Sequence, residues 1–471
     1  MRRFWAISLF FAVVGLSSGC RADAPEAARK PPKPDKPLEV ASAGPDETVK
    51  LELKTASEGY VCADPSDSFL MLGLTAKEVA RPDRQPMNLA LVIDRSGSMA
   101  SEDKLEHVKH AASFLIQNLL PTDRIALIAY DDQVDVLARS QRVGQDQKRL
   151  LRKIDSLTPG NMTNIEGGLR EGYAQVMPHG APELISRVLL LSDGLANTGI
   201  SDPAALGLIA RDAAEQGVST TAMGVGVDYS EDTMMQVAEH GRGNYHFIGD
   251  PNQVPALFAR ELRELKATVA QDAVVQLDLP AGSVVERVYG YDRADVGSAR
   301  LTLPIGDLWS GDNRRIIVRV HTAAGSPSAL LAKAHVRYRN TEGGGVAAQI
   351  ATADATMRCV KDAAEVHALR QPAVHHEVEL VTSAEVMDIA MQDLNAGRKE
   401  EAKRKLDKNL ESLAPLAASS GNAALREQVS TMRKARADLD SFDGVAESAP
   451  AVQAYVKGNR ASSKELQKRR K

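Results

Sequence analysis

The chain has 471 residues, of which 43% are hydrophobic and 25% are charged, enough material for two or three folded domains. Its formal net charge is −4, which gives no reason to expect binding to nucleic acid. After the N-terminal segment no further long apolar run occurs in the sequence, which argues against a channel or a transporter.

The first residues have the layout of an export signal. Met1-Arg2-Arg3 is basic and Phe4–Leu16 is mostly apolar, but the stretch is too short for a stable spanning helix. The ending Leu16-Ser17-Ser18-Gly19-Cys20 resembles a bacterial lipobox, which implies removal of residues 1–19 and a diacylglyceryl group on Cys20. Arg21, in place of Asp, implies by the same resemblance the outer membrane, facing the periplasm or the cell surface. An ordinary cleaved signal and an uncleaved anchor are the alternatives.

Residues 20–45 are rich in Ala, Pro and Lys and predict an extended, semi-rigid tether, because such a segment cannot bury enough apolar area to fold. A short β segment follows at residues 46–85. Its first predicted strand, Val49–Lys54, alternates apolar and polar residues with period two.

Residues 86–268 alternate apolar strands with amphipathic helices. This pattern predicts an α/β domain with a doubly wound, mostly parallel sheet that is covered by helices on both faces. Ligands of such sheets bind at the carboxyl ends of the strands.

Polar residues stand where two of these strands end. Asp94-Arg95-Ser96-Gly97-Ser98 follows the first strand and places a carboxylate and two hydroxyls at positions i, i+2 and i+4 of a turn. Their oxygens can converge on one point, and oxygen is the ligand that hard cations prefer. Thr163 precedes a later predicted helix, and Asp193 closes another buried strand. Alone, the first motif could be only a helix cap.

The order D-x-S-x-S, then Thr, then Asp at a strand end resembles the metal-ion-dependent adhesion site of von Willebrand factor A (VWA) domains. The resemblance implies that five residues hold one divalent cation, Mg²⁺ or else Mn²⁺ or Ca²⁺, directly or through water. It also implies that an Asp or Glu of a protein partner fills the open coordination position. Arg95, Met99 and Asn197 are near enough in sequence to line the rim. The five residues are Asp94, Ser96, Ser98, Thr163 and Asp193.

The pattern changes again after the central domain. Residues 269–365 predict strands that form an antiparallel β-sandwich together with the N-terminal β segment, so that the central domain is inserted in the sandwich. Residues 375–445 return to helical periodicity and predict a helical domain. The basic residues 446–471 predict a disordered tail. The whole order resembles bacterial VWA lipoproteins related to calcium-activated chloride channel regulators and inter-α-trypsin inhibitor heavy chains.

Two cysteines remain once Cys20 carries lipid. Cys62 and Cys359 could form a disulfide in an oxidising compartment, but a sequence does not show whether they are close.

The sequence favours a binding protein over an enzyme. It contains no H-E-x-x-H and no G-x-S-x-G motif, and the cluster His375-His376-Glu377 has the wrong spacing for two zinc ligands on a helix. We therefore expect a lipid-anchored, exported VWA protein that binds protein partners through its cation. The alternative is a structural subunit for envelope assembly that uses the domain as a metal-independent scaffold. The sequence identifies neither the partner nor the cation.

Overall fold

A computed structural model describes residues 48–80, 85–181, 183–226, 228–291, 296–325, 329–341, 348–442, 444–446 and 448–468. All of them belong to one compact unit, Val40–Lys471. The predicted export signal, Cys20 and the whole predicted tether, residues 20–45, lie outside the described residues. Within the described ranges, every helix is too short or too polar to cross a membrane.

The central domain is built on a six-stranded sheet with the order β6-β5-β4-β7-β8-β9. All neighbouring strands are parallel except β5 and β6, and every residue of β4, β7 and β8 is buried. Strands buried on both faces are rich in apolar residues, as the runs Leu89–Ile93 of β4 and Val188–Leu191 of β7 show. The strands are β4 (Met87–Asp94), β5 (Arg124–Tyr130), β6 (Val134–Arg142), β7 (Ile185–Ser192), β8 (Val218–Val225) and β9 (Arg242–Ile248).

Six helices cover the two faces of this sheet. Helices α1, α2 and α6 pack on one face and α3, α4 and α5 on the other, each set with its own hydrophobic core. The predicted doubly wound α/β fold is confirmed. The helices are α1 (Lys104–Asn118), α2 (Val143–Asp155), α3 (Ile165–Val176), α4 (Pro203–Glu215), α5 (Glu231–His240) and α6 (Val254–Lys266).

A β-sandwich is assembled from the two flanks of the central domain. Its four-stranded sheet has the order β1-β3-β13-β11 and its five-stranded sheet the order β12-β10-β14-β15-β2, around one shared core. All pairs are antiparallel except β15 and β2. The strands are β1 (Val49–Thr55), β2 (Gly59–Val61), β3 (Ser66–Ala76), β10 (Thr268–Asp278), β11 (Ser283–Val288), β12 (Arg300–Trp309), β13 (Asn313–Thr322), β14 (Ala329–Asn340) and β15 (Ala348–Val360).

Helices complete the C-terminal part of the described chain. Helices α8, α9, α10 and α11 share one hydrophobic core, and the short α7 joins them to the sandwich. The C-terminal helical segment predicted from the sequence is therefore present. The helices are α7 (Ala363–Ala368), α8 (Pro372–Asn395), α9 (Lys399–Ser420), α10 (Ala423–Ser441) and α11 (Pro450–Lys468).

The prediction of a disordered tail from residue 446 is wrong for residues 450–468, which form α11. Val452 and Val456 enter the core shared with α8, α9 and α10. The basic residues pair with a buried carboxylate of α8: Arg460 Nε lies 3.0 Å and Lys464 Nζ 3.3 Å from Asp388. Charges that suggested a solvated tail are thus partners for acidic residues that are distant in the sequence.

Candidate metal centre

The five residues predicted to hold a cation lie together at the carboxyl edge of the central sheet. Asp94 is the last residue of β4 and Asp193 directly follows β7. These two strands are neighbours in parallel register, with Ile93 opposite Leu191, so their ends meet. Ser96 and Ser98 lie in the turn from β4 toward α1, and Thr163 lies in the loop before α3.

The two carboxylates are fully buried and all four of their oxygens are engaged. Asp94 Oδ1 accepts a hydrogen bond from the Ser96 backbone N–H at 2.8 Å, and Oδ2 accepts one from the Ser192 hydroxyl at 2.6 Å. Asp193 Oδ1 accepts from the Ser98 hydroxyl at 2.7 Å, and Oδ2 from Lys104 Nζ at 3.0 Å. The carboxylates are therefore held in fixed orientations, as a preformed site requires.

Three hydroxyl oxygens surround a small space above Gly194. A β-carbon built on Gly194 would lie 3.0 Å from Thr163 Oγ1, 3.5 Å from Ser98 Oγ and 3.7 Å from Ser96 Oγ. The Ser96 and Ser98 oxygens are 3.1 Å apart. Because position 194 is a glycine, this space stays open to the three hydroxyls.

The donor set fits a hard divalent cation. Two carboxylates and three hydroxyls supply only oxygen ligands, which Mg²⁺, Mn²⁺ and Ca²⁺ accept. Asp94, Ser96, Ser98, Thr163 and Asp193 would hold the ion, and the ion would supply positive charge toward the outer side of the sheet edge. No group of three or more His, Cys, Asp or Glu side chains in the described part of the chain is arranged to hold a metal, so the fit depends on the hydroxyls.

The electrostatics of the centre favour a cation. The pKa of Asp94 is raised to about 6, mainly by burial and to a smaller extent by the charge of Asp193, against the hydrogen bonds from Ser192 and Ser96, which lower it. A positive charge between the two carboxylates would offset the cost of burying them.

Lys104 is a member of the centre that the sequence reasoning missed. Its side chain is only 3% exposed, and its Nζ lies 3.0 Å from Asp193 and 3.9 Å from Asp228. Glu102 and Asp103 have left-handed φ values of 55° and 52°, which shape the turn that brings Lys104 back to the site. A signal was present in the sequence, since Lys104 is the first residue of the helix that follows the D-x-S-x-S motif.

Ser192 is a second residue that sequence reasoning did not select. It ends the apolar strand β7, where its hydroxyl orients Asp94 across the gap between two strands. A hydroxyl that directly follows the apolar run Val188–Leu191 was the available signal.

The three residues expected on the rim have other roles. Met99 is fully buried in the core beneath the site, so the expectation that it lines the rim is wrong. Arg95 pairs with Asp131 and Asp135 at 3.1 and 2.6 Å. Asn197 Oδ1 accepts a hydrogen bond from the Thr163 N–H at 2.7 Å and so holds the Thr163 loop in place.

Two exposed apolar side chains lie beside the centre instead. Met162 is 47% exposed and directly precedes Thr163, and Leu195 is 58% exposed and directly follows Gly194. The Thr198 hydroxyl lies 3.8 Å from the Met162 sulfur, so the two loops touch. Exposed apolar side chains grouped beside a polar ligand site are candidates for contact with a bound partner.

The two cysteines also lie together in the structure. Cys62 follows β2 and Cys359 lies in β15, and a disulfide joins them with a Cα–Cα distance of 5.3 Å. The two positions are 297 residues apart in the sequence.

Comparison with known proteins identifies the central domain. The family model described as von Willebrand factor type A domain matches residues 88–260. This segment is a VWA domain. It carries the D-x-S-x-S motif, Thr163 and Asp193 on its sheet edge, as the resemblance in the sequence implied.

Two bacterial relatives match more than the VWA domain. The protein YfbK of Escherichia coli K12 is 30% identical over 230 residues, which cover 48% of this chain and 40% of the relative. The protein sll0103 of Synechocystis sp. is 25% identical over 308 residues, which cover 63% of this chain and 72% of the relative. The chain thus spans less than half of the E. coli protein. Mammalian calcium-activated chloride channel regulators and inter-α-trypsin inhibitor heavy chains match over shorter segments, which confirms the predicted relationship.

The fold outside the VWA domain also has a solved counterpart. A protein from Catenulispora acidiphila, described as von Willebrand factor type A, superposes with a TM-score of 0.65 at 18% identity. The match covers 89% of this chain and 96% of that one. At this identity the likeness shows a shared fold, so both the VWA domain and its surroundings belong to an architecture seen elsewhere.

Replacing Gly194 with alanine should weaken cation binding by roughly tenfold, because the new methyl group would enter the space that the three hydroxyls share. Calorimetric titration with Mn²⁺ checks this result. Gly73→Ala is a matched control, since a β-carbon there meets only ordinary contacts at 3.6 Å on a strand of the sandwich. Equal Mn²⁺ affinity in both variants would contradict the assigned position of the ion.

Proposed function

We propose that the protein binds protein partners through a divalent cation, Mg²⁺ or else Mn²⁺ or Ca²⁺, held by Asp94, Ser96, Ser98, Thr163 and Asp193. The observation that carries the proposal is the convergence of three hydroxyls and two fixed, buried carboxylates around the open space above Gly194. Oxygen donors with so few charges leave a coordination position for an outside ligand.

The charge balance of the centre defines that outside ligand. Lys104 offsets the charge of Asp193, so one carboxylate charge remains against the two charges of the ion. The loaded site therefore carries net positive charge at the sheet edge and attracts an acidic group. An Asp or Glu side chain of a partner protein supplies such a group together with a carboxylate oxygen for the ion.

Met162 and Leu195 would contact the partner next to its acidic residue. A few well-packed side chains near the centre of an interface carry most of its binding energy, and these two flank the position of the bound acidic residue. We therefore infer a partner that exposes an Asp or Glu beside an apolar surface.

In this proposal the protein is a binding module and not an enzyme. Each oxygen of Asp94 and Asp193 already accepts a hydrogen bond that orients it, which suits the holding of an ion better than proton transfer. The whole chain would act as an exported lipoprotein of the cell envelope, anchored in the outer membrane by lipid on Cys20.

One observation favours the alternative of a structural envelope-assembly subunit with a metal-independent VWA scaffold. Lys104 and Ser98 both bond to Asp193, and Ser192 bonds to Asp94, so the cluster satisfies its own polar groups without an ion. A scaffold built in this way would keep its partners when divalent cations are removed.

Affinity capture separates the two functions. The wild-type protein, immobilised through an added tag, should retain a set of envelope proteins in Mg²⁺ and lose it in EDTA. Ser96→Ala should lose the same proteins in Mg²⁺, whereas Ser412→Ala, an exposed serine of α9, should keep them. Capture of the same proteins by the wild type in Mg²⁺, the wild type in EDTA and both serine variants would contradict metal-dependent binding and favour the scaffold function.

The apolar rim can be tested without disturbing the ion. Leu195→Ser and Met162→Ser should bind Mn²⁺ like the wild type but capture the partners less efficiently. Leu120→Ser is a matched control because Leu120 is 45% exposed and precedes β5, at the opposite edge of the sheet. Equal capture of the partners by all three variants would show that Leu195 and Met162 are not part of the interface.

Replacing Cys20 with alanine should release the protein from the membrane fraction or leave its export signal uncleaved, because the residue that would carry lipid is gone. Fractionation of cells and mass spectrometry of the mature N-terminus measure both results. A Cys20→Ala variant that still sediments with the outer membrane and resists salt extraction would contradict lipid anchoring.

A further inference from the structure

A second concave site lies away from the metal centre, between the VWA domain, the sandwich and α11. Its volume is about 800 Å³, within the range of ligand-binding cavities. One wall is formed by five consecutive residues of β9, Gly243 to Phe247. Helix α11 forms the opposite wall, and Trp309 with Tyr291 of the sandwich closes one side.

The wall made by β9 is the free edge of the VWA sheet. β9 is the last strand of the sheet and pairs with β8 on one side; no other described strand pairs with it. The Gly226 N–H donates to the Ile248 carbonyl at 2.9 Å, with Ile248 opposite Val225, so the backbone groups of Ile248 and His246 face β8. In a parallel pair the alternate residues face the other way.

Tyr245 and Phe247 therefore direct their backbone N–H and C=O groups away from β8, toward the cavity. No described residue forms a hydrogen bond with these outward groups. A row of such groups on an edge strand is a template for another extended chain. The side chains of this segment are bonded to the VWA domain itself: His246 Nε2 lies 2.7 Å from Glu261, and the Tyr245 hydroxyl lies 2.6 Å from that of Tyr229.

The opposite wall supplies an unpaired donor. Gln467 on α11 lines the cavity, is 2% exposed, and its amide Nε2 has no hydrogen-bond partner among the described residues. A buried amide without an acceptor costs stability, and an oxygen on an occupant of the cavity would satisfy it.

The charges of the walls define the occupant further. Among the described lining residues, five are acidic and five are basic. Several are paired across the cavity mouth, for example Arg260 with Glu465 at 3.0 Å. The walls thus have no excess charge of either sign, which suits an occupant without net charge. Met235, Phe247 and Leu257 add apolar surface on both sides of the strand.

We propose that this cavity binds an extended, uncharged peptide segment of a partner protein, which adds to the free edge of β9 as a seventh strand. The peptide backbone pairs with Tyr245 and Phe247, and Gln467 donates its amide to a peptide oxygen. Five edge residues at about 3.3 Å per residue give a segment of about 16 Å, so about five peptide residues are bound. Their side chains alternate between the Met235 side and the Leu257 side of the sheet.

The site is independent of the metal centre, so the test is done in EDTA. The full-length protein is presented, in detergent, with a library of random twelve-residue peptides displayed on phage. Peptides that are enriched on the wild type and not on Ala461→Trp, which fills the cavity from α11, are synthesised. These peptides should bind the Gln467→Met variant at least tenfold more weakly than the wild type. The methionine side chain has a similar size to that of glutamine but lacks the amide.

The backbone contact is measured by hydrogen exchange. A bound peptide should slow exchange of the Tyr245 and Phe247 amides at least tenfold, since these N–H groups gain acceptors that the free protein does not provide. Gln216→Met, at an exposed residue that directly follows α4, is the control for the glutamine substitution and should bind the peptides like the wild type.

Three results would overturn the proposal. The first is that no peptide is enriched on the wild type over Ala461→Trp. The second is that enriched peptides bind without slowing exchange at Tyr245 and Phe247. The third is that these amides are already protected in the free protein. Thermal unfolding of Ala461→Trp shows whether this variant folds. If it does not fold, peptides are selected by their enrichment on the wild type over Gln467→Met instead.

Discussion

Substitution of Asp94 with alanine should weaken the binding of Mg²⁺ and Mn²⁺ by a factor of roughly 100 or more. Asp94 is one of only two carboxylates in the centre, and both of its oxygens are held in place by Ser96 and Ser192. Removal of this group deletes a charged ligand that the three hydroxyls cannot replace. Isothermal titration of the purified protein with each cation measures the loss.

The same substitution should change stability in a way that depends on the cation. In EDTA the variant should be at least as stable as the wild type, because the burial that raises the pKa of Asp94 to about 6 opposes its charged form. In Mg²⁺ only the wild type should gain thermal stability, since an ion that binds the native state alone stabilises it.

Asp228→Ala provides the matched control. Asp228 is 73% exposed and lies 3.9 Å from Lys104, beside the centre but outside the five proposed ligands. Its loss should leave cation affinity within a few-fold of the wild type. Equal affinities in the wild type, Asp94→Ala and Asp193→Ala would refute the metal centre.

Loss of the Cys62–Cys359 bridge should lower the free energy of unfolding by about 5 kcal/mol. The bridge closes a loop of almost 300 residues, because the cysteines are 297 positions apart, and a cross-link over such a loop removes much chain entropy from the unfolded state. The bridge connects the N-terminal strand β2 to the sandwich strand β15, on which β2 depends for its pairing. Chemical denaturation of Cys62→Ala/Cys359→Ala against the wild type measures the difference.

Reduction provides the control for the cysteine substitutions. The wild type in reductant should match the double variant, and reductant should leave the double variant unchanged. Peptide mapping of the non-reduced protein should recover the two cysteines in one cross-linked pair. Recovery of both as free thiols would disprove the bridge.

The sequence was sufficient for much of the VWA domain. The apolar runs that end at Asp94 and Asp193 could be assigned to buried strands from their pattern alone, because strands covered on both faces are rich in apolar residues on both sides. The choice of Asp94, Ser96, Ser98, Thr163 and Asp193 as one group depended on their order along the chain and on the family resemblance. The structure brings these residues to one sheet edge.

Charge in a sequence was a poorer guide than apolar periodicity. The basic residues after position 446 suggested a solvated tail, yet Arg460 and Lys464 pair with Asp388 of α8, and Arg460 also pairs with Glu231 of the VWA domain at 2.6 Å. A charged side chain is compatible with solvent or with a buried partner. The pattern of charges along one helix does not distinguish these environments.

The chain by itself determined most strands and helices of the VWA domain, because side-chain periodicity is local and repeats every two residues in a strand and every 3.6 in a helix. Only the tertiary structure decided which side chains complete the site. Lys104 reaches Asp193 across 89 positions, Ser192 reaches Asp94 across 98, and Met99 turns into the core although it follows the motif directly. These contacts depend on the order of strands in the sheet, in which β4 lies between β5 and β7. That order is set by how the helices pack on the two faces of the sheet, and no local sequence pattern specifies it.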